Sequence, residues 1–345
     1  MKSEGKTIID LRSDTVTLPT KAMMDCILNA KVGDDVFEED PTVIELQEFA
    51  ADMFGMEAAI FCPSGTMTNQ IAIKLHTRPG DEVICDQLYH VYRYEGGGIG
   101  FNSSCSVKLI NGERGLFKAE DVMASLNNPE DVHNPLSRLV VIENTCNKGG
   151  GSVWNFNDLV PIKDVCNKNN LKFHLDGARL FNALAVTGES PEKYGKLFDT
   201  ISICLSKGLG TPVGSLLLGN KVDIKQARRI RKVMGGGMRQ AGFLAAAGLF
   251  ALKNNVARLK DDHLRAKKLG AAVAERPWCE YVLPVETNIV VFKLKDISTQ
   301  TEMMNRFEAA GLRMVPFGPG LIRMVTHLGI DDSMVERAGE IICGI

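Results

Sequence analysis

Thr200-Ile-Ser-Ile-Cys-Leu-Ser-Lys207-Gly-Leu-Gly-Thr-Pro-Val-Gly214 is the stretch on which the reading of this chain turns. A short apolar run with β-branched residues predicts a buried strand, and it stops at Ser206 and Lys207, where glycines and a proline take over. Lys207 therefore stands at a strand end. A turn of small residues can keep its amine in a cleft, where desolvation favours the neutral, nucleophilic form. Ser-Lys-Gly by itself is also what a solvated lysine closing a strand looks like. What the rest of the chain brings alongside decides between the two.

Working outward, strand-like runs at 58–62, 82–86, 138–143, 171–176, 200–205 and 213–218 are separated by helical or turn-rich stretches such as 157–169. That alternation predicts strand–helix–strand crossovers, hence an α/β protein with a mostly parallel sheet covered by helices. Asp40 caps and Pro41 opens a helix whose Val43, Leu46, Ala50 and Met53 share one face before Gly55 ends it. A charged helix is expected over 223–234 and a nearly all-apolar one over 241–252, the latter in the core or at a subunit contact. Asn254-Asn255 marks a hinge. The expected organisation is an N-terminal arm over 1–18, a large domain over 19–253 and a smaller C-terminal α/β domain over 254–345. The last has strands near 288–293 and 321–326 and a helix over 301–310.

Forty basic residues against forty-two acidic ones leave a formal charge of -2. No long Lys/Arg block is present, so nucleic acid and membrane surfaces are not expected partners. The short cluster Arg228-Arg229-Ile230-Arg231-Lys232 predicts a basic helix face, most of it solvated. The nine cysteines are scattered singly, with no Cys-x-x-Cys pair, and several lie in apolar runs. Buried free thiols in a reducing compartment are therefore expected rather than a disulfide framework. The N-terminus lacks the apolar core of a signal peptide, and no run approaches the length of a membrane span, so a cytoplasmic location is expected.

In open α/β sheets ligands gather beyond the carboxyl ends of the strands. Three such ends carry chemistry. Ser64-Gly65-Thr66 follows the first strand and leads into a helix, which offers free backbone N–H groups to an anion, although Ser and Thr are favoured at a capped helix start without any ligand. Asp176 closes the strand in Phe173-His-Leu-Asp-Gly-Ala-Arg179; a carboxylate there is either buried and paired or exposed in a mouth, and a cationic partner is expected for it. Lys207, beside Ser206, is the third. An anion cradle, a carboxylate and an amine together are what pyridoxal 5'-phosphate needs for its phosphate, its ring nitrogen and its aldehyde. Neither a Gly-x-x-x-x-Gly-Lys-Ser/Thr loop nor a Gly-x-Gly-x-x-Gly after the first strand offers a nucleotide instead.

Several longer motifs carry a resemblance: Asp10-Leu-Arg-Ser-Asp-Thr-Val-Thr17, Val32-Gly-Asp-Asp-Val36, Glu39-Asp-Pro-Thr42, Pro63-Ser-Gly-Thr66, His174-Leu-Asp-Gly-Ala-Arg179, Cys204-Leu-Ser-Lys-Gly-Leu-Gly210 and Gly235-Gly-Gly-Met-Arg-Gln240. In order, from about residue 8 through Leu328, the chain resembles the low-specificity L-threonine aldolases. The resemblance implies a fold-type I pyridoxal-phosphate enzyme that cleaves L-threonine and L-allo-threonine to glycine and acetaldehyde, usually as a homotetramer, a dimer of dimers.

It also implies roles. Lys207 matches the Schiff-base lysine and Asp176 the partner of the pyridine nitrogen, while Ser64, Gly65 and Thr66 match the phosphate cradle, with Ser206 an addition. His90, in Tyr89-His-Val-Tyr-Arg-Tyr-Glu-Gly-Gly97, matches a histidine stacked on the cofactor ring, and His133 a second histidine near the substrate side chain. Ser13, Arg179 and Arg323 match groups that grip the substrate carboxylate, and Lys232 and Arg239 match basic residues that reach across a subunit boundary. Read locally, His90 is also compatible with a surface histidine, Arg323 with an internal ion pair, and His133 with a plain loop ahead of Asn134-Pro135. Cys146 stands where many relatives have histidine, and Phe37 where many have tyrosine, which bears on side-chain preference and not on the cofactor machinery. A β-eliminating lyase or an aminotransferase on the same fold is the nearest rival; a cofactor-binding protein without turnover is opposed by the intact Lys207 and Asp176.

Overall fold

The computed structural model describes residues 8–345; of the expected arm, residues 1–7 lie outside the described residues. The centre is a seven-stranded sheet formed by β1 (Ala58–Cys62), β2 (Glu82–Asp86), β3 (Ser106–Ile110), β4 (Ser137–Glu143), β5 (Lys172–Gly177), β6 (Thr200–Cys204) and β7 (Ser215–Gly219), in the spatial order β1-β7-β6-β5-β4-β2-β3. All pairs are parallel except those made by β7, which is antiparallel to both β1 and β6. Because β7 opposes both neighbours, β1 runs in the same direction as β6. Six strands therefore end at one edge of the sheet, and Ser64, Glu143, Asp176 and Lys207 are delivered there together.

The antiparallel step explains where Lys207 lies. A parallel crossover would have carried the chain back to the far edge, whereas β7 starts where β6 stops, so residues 205–214 form a loop over the mouth. Gly214, at φ +118, closes that loop in a conformation that L side chains rarely adopt, and a Cβ there would meet the Phe61 ring at 2.6 Å. This is why the strand expected over 213–218 begins two residues later. β3, which the sequence did not announce, is an edge strand with only Ile110 buried, so it lacks the apolar run of its covered neighbours.

The helix Gly65–His76 lies across β5, β6 and β7. The apolar helix is found over Gly242–Asn254, packed on Pro41–Phe54 and Lys21–Leu28, so its small residues Ala245, Ala247, Gly248 and Ala251 serve the core. A second sheet, formed by β8 (Cys279–Val282), β9 (Ile289–Leu294), β10 (Val315–Gly318) and β11 (Leu321–Val325), is antiparallel in the order β10-β11-β9-β8. Ile9–Asp10 pairs in parallel with Leu312–Arg313, and Ile9 and Leu11 are buried in the hydrophobic cluster that holds Phe292, Phe307 and Ile342. In the cluster 228–232, Arg231 departs from the expected solvated face. It is buried and donates to Asp35 Oδ2 and to the Phe61 carbonyl, both at 2.6 Å. All nine cysteines are free, and Cys26 and Cys343 are the exposed ones. No helix among the described residues is long and apolar enough to cross a membrane.

Gly177 sits at the tight point of the sheet edge. A Cβ there would stand 2.6 Å from the Ser202 carbonyl oxygen of β6 and 3.1 Å from Leu180 Cβ. Gly177→Ala is therefore expected to force β5 from β6 next to Asp176, costing roughly 1–3 kcal/mol, read as a lower thermal midpoint together with weaker cofactor binding.

Candidate active site

The loop after β6, the ends of β4 and β5, the arm and the small sheet enclose a cavity of about 150 Å³ lined by Ser13, Thr15, His90, Glu143, Asn147, Ala178, Arg179, Lys207 and Arg323. Five residues singled out in the sequence, Ser13, His90, Arg179, Lys207 and Arg323, are thus brought together from positions more than three hundred residues apart. Asp176 is buried beneath them. Its Oδ2 accepts from Asn69 Nδ2 at 2.9 Å and its Oδ1 from the Ala178 N–H at 3.1 Å. The cationic partner expected for it is not a fixed side-chain ion pair: among the described residues only neutral donors bond it, with His90 close by.

His90 opens a short helix at the cavity wall and is oriented by Glu95, whose Oε1 lies 2.9 Å from Nδ1. A carboxylate only accepts, so Nδ1 carries a hydrogen and Nε2 is left free. Burial opposes the charged imidazole, but the bond to Glu95 and the charges of Asp176 and Glu95 outweigh it, and the pKa rises above the ordinary histidine value while Lys207 works the other way. His90 thus senses both Asp176 and Lys207.

Asp14, fully buried on the arm, receives Arg179 in a bidentate pair, Nε to Oδ2 and one Nη to Oδ1, each at 2.7 Å. Burial resists its charge, yet Arg179, Lys207 and Asn288 hold its carboxyl well below the usual carboxylate range. Arg179 therefore reaches the cavity with most of its fork already engaged. Arg323 differs. One Nη donates to Asn147 Oδ1 at 2.8 Å, the other to the Arg12 carbonyl at 3.0 Å, and Nε is buried without a partner among the described residues. Phe317 supports the guanidinium face at 4.9 Å. Burial, with Arg179 nearby, lowers its pKa to about 10, because no carboxylate of the described residues meets it.

Glu143 and Asn147 were not singled out in the sequence. Glu143 is paired in register with Asp176 on the neighbouring strand and accepts the N–H groups of His90 at 2.5 Å and Asn147 at 2.8 Å. Burial, reinforced by the Asp176 charge, pushes its pKa up to about 7. It closes an apolar run as Asp176 does, and the same strand-end rule applied to 138–143 finds it. Asn69 and Glu95 carry no comparable signal, since a polar residue in a helix or a Gly-rich turn is ordinarily a surface feature.

The remaining candidates fall outside the cavity lining. Ser64 caps Gly65–His76, its Oγ accepting the Met67 N–H at 3.2 Å while its carbonyl accepts that of Thr68, so among the described residues nothing engages the N–H groups of Gly65 and Thr66 at the mouth edge. Ser206 is half-buried beside Lys207, with Cys204 Sγ at 3.5 Å. Lys232 is exposed, and Arg239 is exposed with one Nη on Asp34 at 2.9 Å. Phe37 lies under the Arg239 guanidinium, and Cys146 is buried outside the lining. His133 is not brought to this cavity by its own chain. It is exposed in the loop that precedes Ser137, at the amino end of β4, and a seven-residue strand of about 3.3 Å per residue separates that edge from the mouth.

Comparison with known proteins places the chain in a family. The beta-eliminating lyase family matches residues 10–297. The low-specificity L-threonine aldolase of Escherichia coli is 41% identical over 334 residues, 96% of this chain and 98% of the relative. The chain belongs to the low-specificity L-threonine aldolase family. Another member, the probable low-specificity L-threonine aldolase 2 of Arabidopsis thaliana, is 39% identical over 335 residues, 95% of this chain and 94% of its own. Among solved structures, a threonine aldolase from Leishmania major superposes with a TM-score of 0.83 at 22% identity, covering 97% of this chain and 98% of that one. A serine palmitoyltransferase from Sphingomonas wittichii does so at 0.76 and 18%, over 98% and 87%. The fold is that of the fold-type I pyridoxal-phosphate enzymes.

The cofactor of the threonine aldolases, pyridoxal 5'-phosphate, fits the residues present. Asp176 is a buried acceptor with only neutral donors, which suits a protonated ring nitrogen. The unengaged N–H groups of Gly65 and Thr66 suit a phosphate, and Ser215 Oγ, buried without a partner, faces the Gly65 Cβ position at 3.5 Å.

The Asp14–Arg179 pair lends itself to a direct test. Asp14→Asn leaves the Arg179 charge buried and uncompensated, so the unfolding free energy is expected to fall by about 3–5 kcal/mol, measured by denaturant titration, with Arg179→Met and the double variant closing the cycle.

Proposed function

We propose that the chain cleaves L-threonine and L-allo-threonine to glycine and acetaldehyde with pyridoxal 5'-phosphate held through Lys207. The observation that carries this reading is the convergence of Lys207, His90 and the carboxylate-free Arg323 on one cavity above the buried Asp176. Full-length relatives named as low-specificity L-threonine aldolases support it. When bound, the cofactor supplies an electron sink for the pair released from the Cα–Cβ bond.

Each residue has a definite task in this reading. Lys207 would hold the cofactor through its aldehyde and release it when the substrate amine takes its place. Asp176 would hold the ring nitrogen. Arg323 takes the substrate carboxylate, satisfying its orphaned Nε, with Ser13 and the remaining Nη of Arg179 beside it. That grip would orient the Cα–Cβ bond for cleavage, and orientation of this kind is where much of the rate gain arises. His90 Nε2, free because Glu95 holds Nδ1, accepts the proton of the β-hydroxyl. His133 lies at the far edge of its own sheet, so the role that the resemblance gives it would be played in a neighbouring subunit's cavity. We infer a homotetramer, a dimer of dimers, in which exposed Lys232 and Arg239 also reach a neighbour, and a cytoplasmic location for a chain with nine free thiols. The division into an arm (1–18), a large domain (19–253) and a small domain (254–345) is supported by two main hydrophobic clusters, one ending at Leu259 and the other joining Ile9 and Leu11 to residues from Ala266 onward.

Purified protein given pyridoxal 5'-phosphate and either amino acid should release acetaldehyde and glycine in equal amounts. Ammonia with a keto acid would instead assign a β-eliminating lyase or aminotransferase. Lys207→Ala should abolish both turnover and the visible absorbance of the protein-bound cofactor, and persistence of that band would remove Lys207 from its role. Arg323→Lys, which cannot bind a carboxylate through two parallel bonds, should raise KM by roughly 10-fold to 100-fold with a smaller change in kcat, read from initial rates.

A further inference from the structure

One face of the helix Gly65–His76 breaks the pattern of a helix packed on a sheet. Asn69 and His76, two turns apart, point into the protein against polar residues of β5 and β6. On β5, His174 and Asp176 alternate onto that face. On β6, Thr200 and Ser202 do the same, each in register with its β5 neighbour. The result is a continuous buried seam. His76 Nε2 lies 3.0 Å from Thr200 Oγ1, Thr200 Oγ1 lies 2.9 Å from His174 Nδ1, His174 Nε2 lies 3.1 Å from Asn69 Oδ1, and Asn69 Nδ2 lies 2.9 Å from Asp176 Oδ2. Asn69, His174 and Thr200 are all at most 2% exposed. Only His76 approaches the surface, in a separate cavity with Arg78, Asp81, Arg138, Lys172 and Asp223 at the amino edge of the sheet.

With Asp176 and Glu95 ionised and the Thr200 hydroxyl bonded to His174 Nδ1, the hydrogens of this seam have one consistent arrangement. Asn69 Nδ2 also bonds Glu95 Oε1 at 2.9 Å, so its amide hydrogens are shared between two carboxylates and Oδ1 must accept. His174 Nε2 must then carry a hydrogen, which leaves Nδ1 to accept from the Thr200 hydroxyl. Thr200 Oγ1, having donated, accepts from His76 Nε2–H. All four bonds point their hydrogens toward Asp176, and bonds aligned in this way polarise one another in a low-dielectric interior. Buried polar groups that a core would ordinarily exclude are retained here in a single arrangement.

We propose that the seam His76–Thr200–His174–Asn69 is a hydrogen-bond relay that orients Asp176 and stabilises its negative charge, making Asn69 and His174 positioning residues for the cofactor's ring nitrogen. The proposal rests on the reading that Asp176 faces that nitrogen. The charges around the relay agree with neutral imidazoles throughout. Burial lowers His174 to about 3, Asp176 and a hydrogen bond to the Thr200 backbone opposing and His76 assisting, and lowers His76 to about 4, Asp199 opposing and Lys172 and Lys163 assisting. At its other end Asp176 shares its surroundings with Glu143, Glu95 and His90.

Two measurements on the full-length, cofactor-loaded protein test this. In protein labelled with ¹⁵N-histidine, the six imidazoles are assigned by single His→Gln replacements. His174 and His76 should both be neutral with the hydrogen on Nε2 at neutral pH; a hydrogen on His174 Nδ1, or a cationic ring, would overturn the relay. Thr200→Val keeps the side-chain shape but removes the linking hydroxyl, and Thr200→Ser restores it. Thr200→Val should weaken cofactor binding roughly threefold to tenfold and move the pH midpoint of the bound cofactor's visible band, while Thr200→Ser returns both toward the parent. Parent-like affinity and midpoint in Thr200→Val would refute the proposal. If the parent protein shows no visible cofactor band at all, the functional reading fails, while the histidine spectra still report on the relay.

Discussion

The bidentate pair between Asp14 and Arg179 is the contact on which the shape of the site depends. It joins the N-terminal arm to the end of β5, and Asn288, just before β9, also donates to Asp14 at 3.3 Å. Three separate parts of the chain are held by one buried carboxylate. An ion pair removed from water is kept only where its geometry repays desolvation, and the parallel 2.7 Å bonds meet that condition. The arm is also held by the pairing of Ile9–Asp10 with Leu312–Arg313 and by the burial of Ile9 and Leu11, and the ion pair carries it on over the sheet edge, where Ser13 lines the cavity.

The other charges of the site are deliberately less well matched. Asp176 meets neutral donors, Arg323 has an unpartnered Nε, and Glu143 is pushed toward neutrality by burial and by its neighbour Asp176. In a core that would be costly, since each unpaired charge loses its hydration without compensation. At the mouth of a sheet edge, the same mismatches leave Asp176 open to a cation and Arg323 open to a carboxylate. The two arginines thus separate by partner. Arg179 serves the architecture first, and Arg323 remains available.

How much of this was legible in the chain follows from the range of each interaction. Strand β6, the lysine after it, and Asp176 at the end of β5 were readable because a strand is a local apolar pattern and its end is marked by glycine. The cap at Ser64 was equally local. The edge strand β3 was not readable, because its half-exposed residues carry no burial signal. Arg231 looked like its solvated neighbours, and only the approach of Asp35, 196 residues away, buries it.

The sequence by itself determined the α/β class, the strand-end positions of Ser64, Asp176 and Lys207, and the family, since these rest on periodicity and on motifs whose chemistry is local. Tertiary structure alone decided that Arg179 is paired with Asp14, that Glu143 stands beside Asp176, that His133 lies at the opposite edge from the cavity of its own chain, and that Asn69 and His174 face inward. The physical reason is common to all four: strand order and direction set which polar groups meet, and neither is written in any contiguous run of residues.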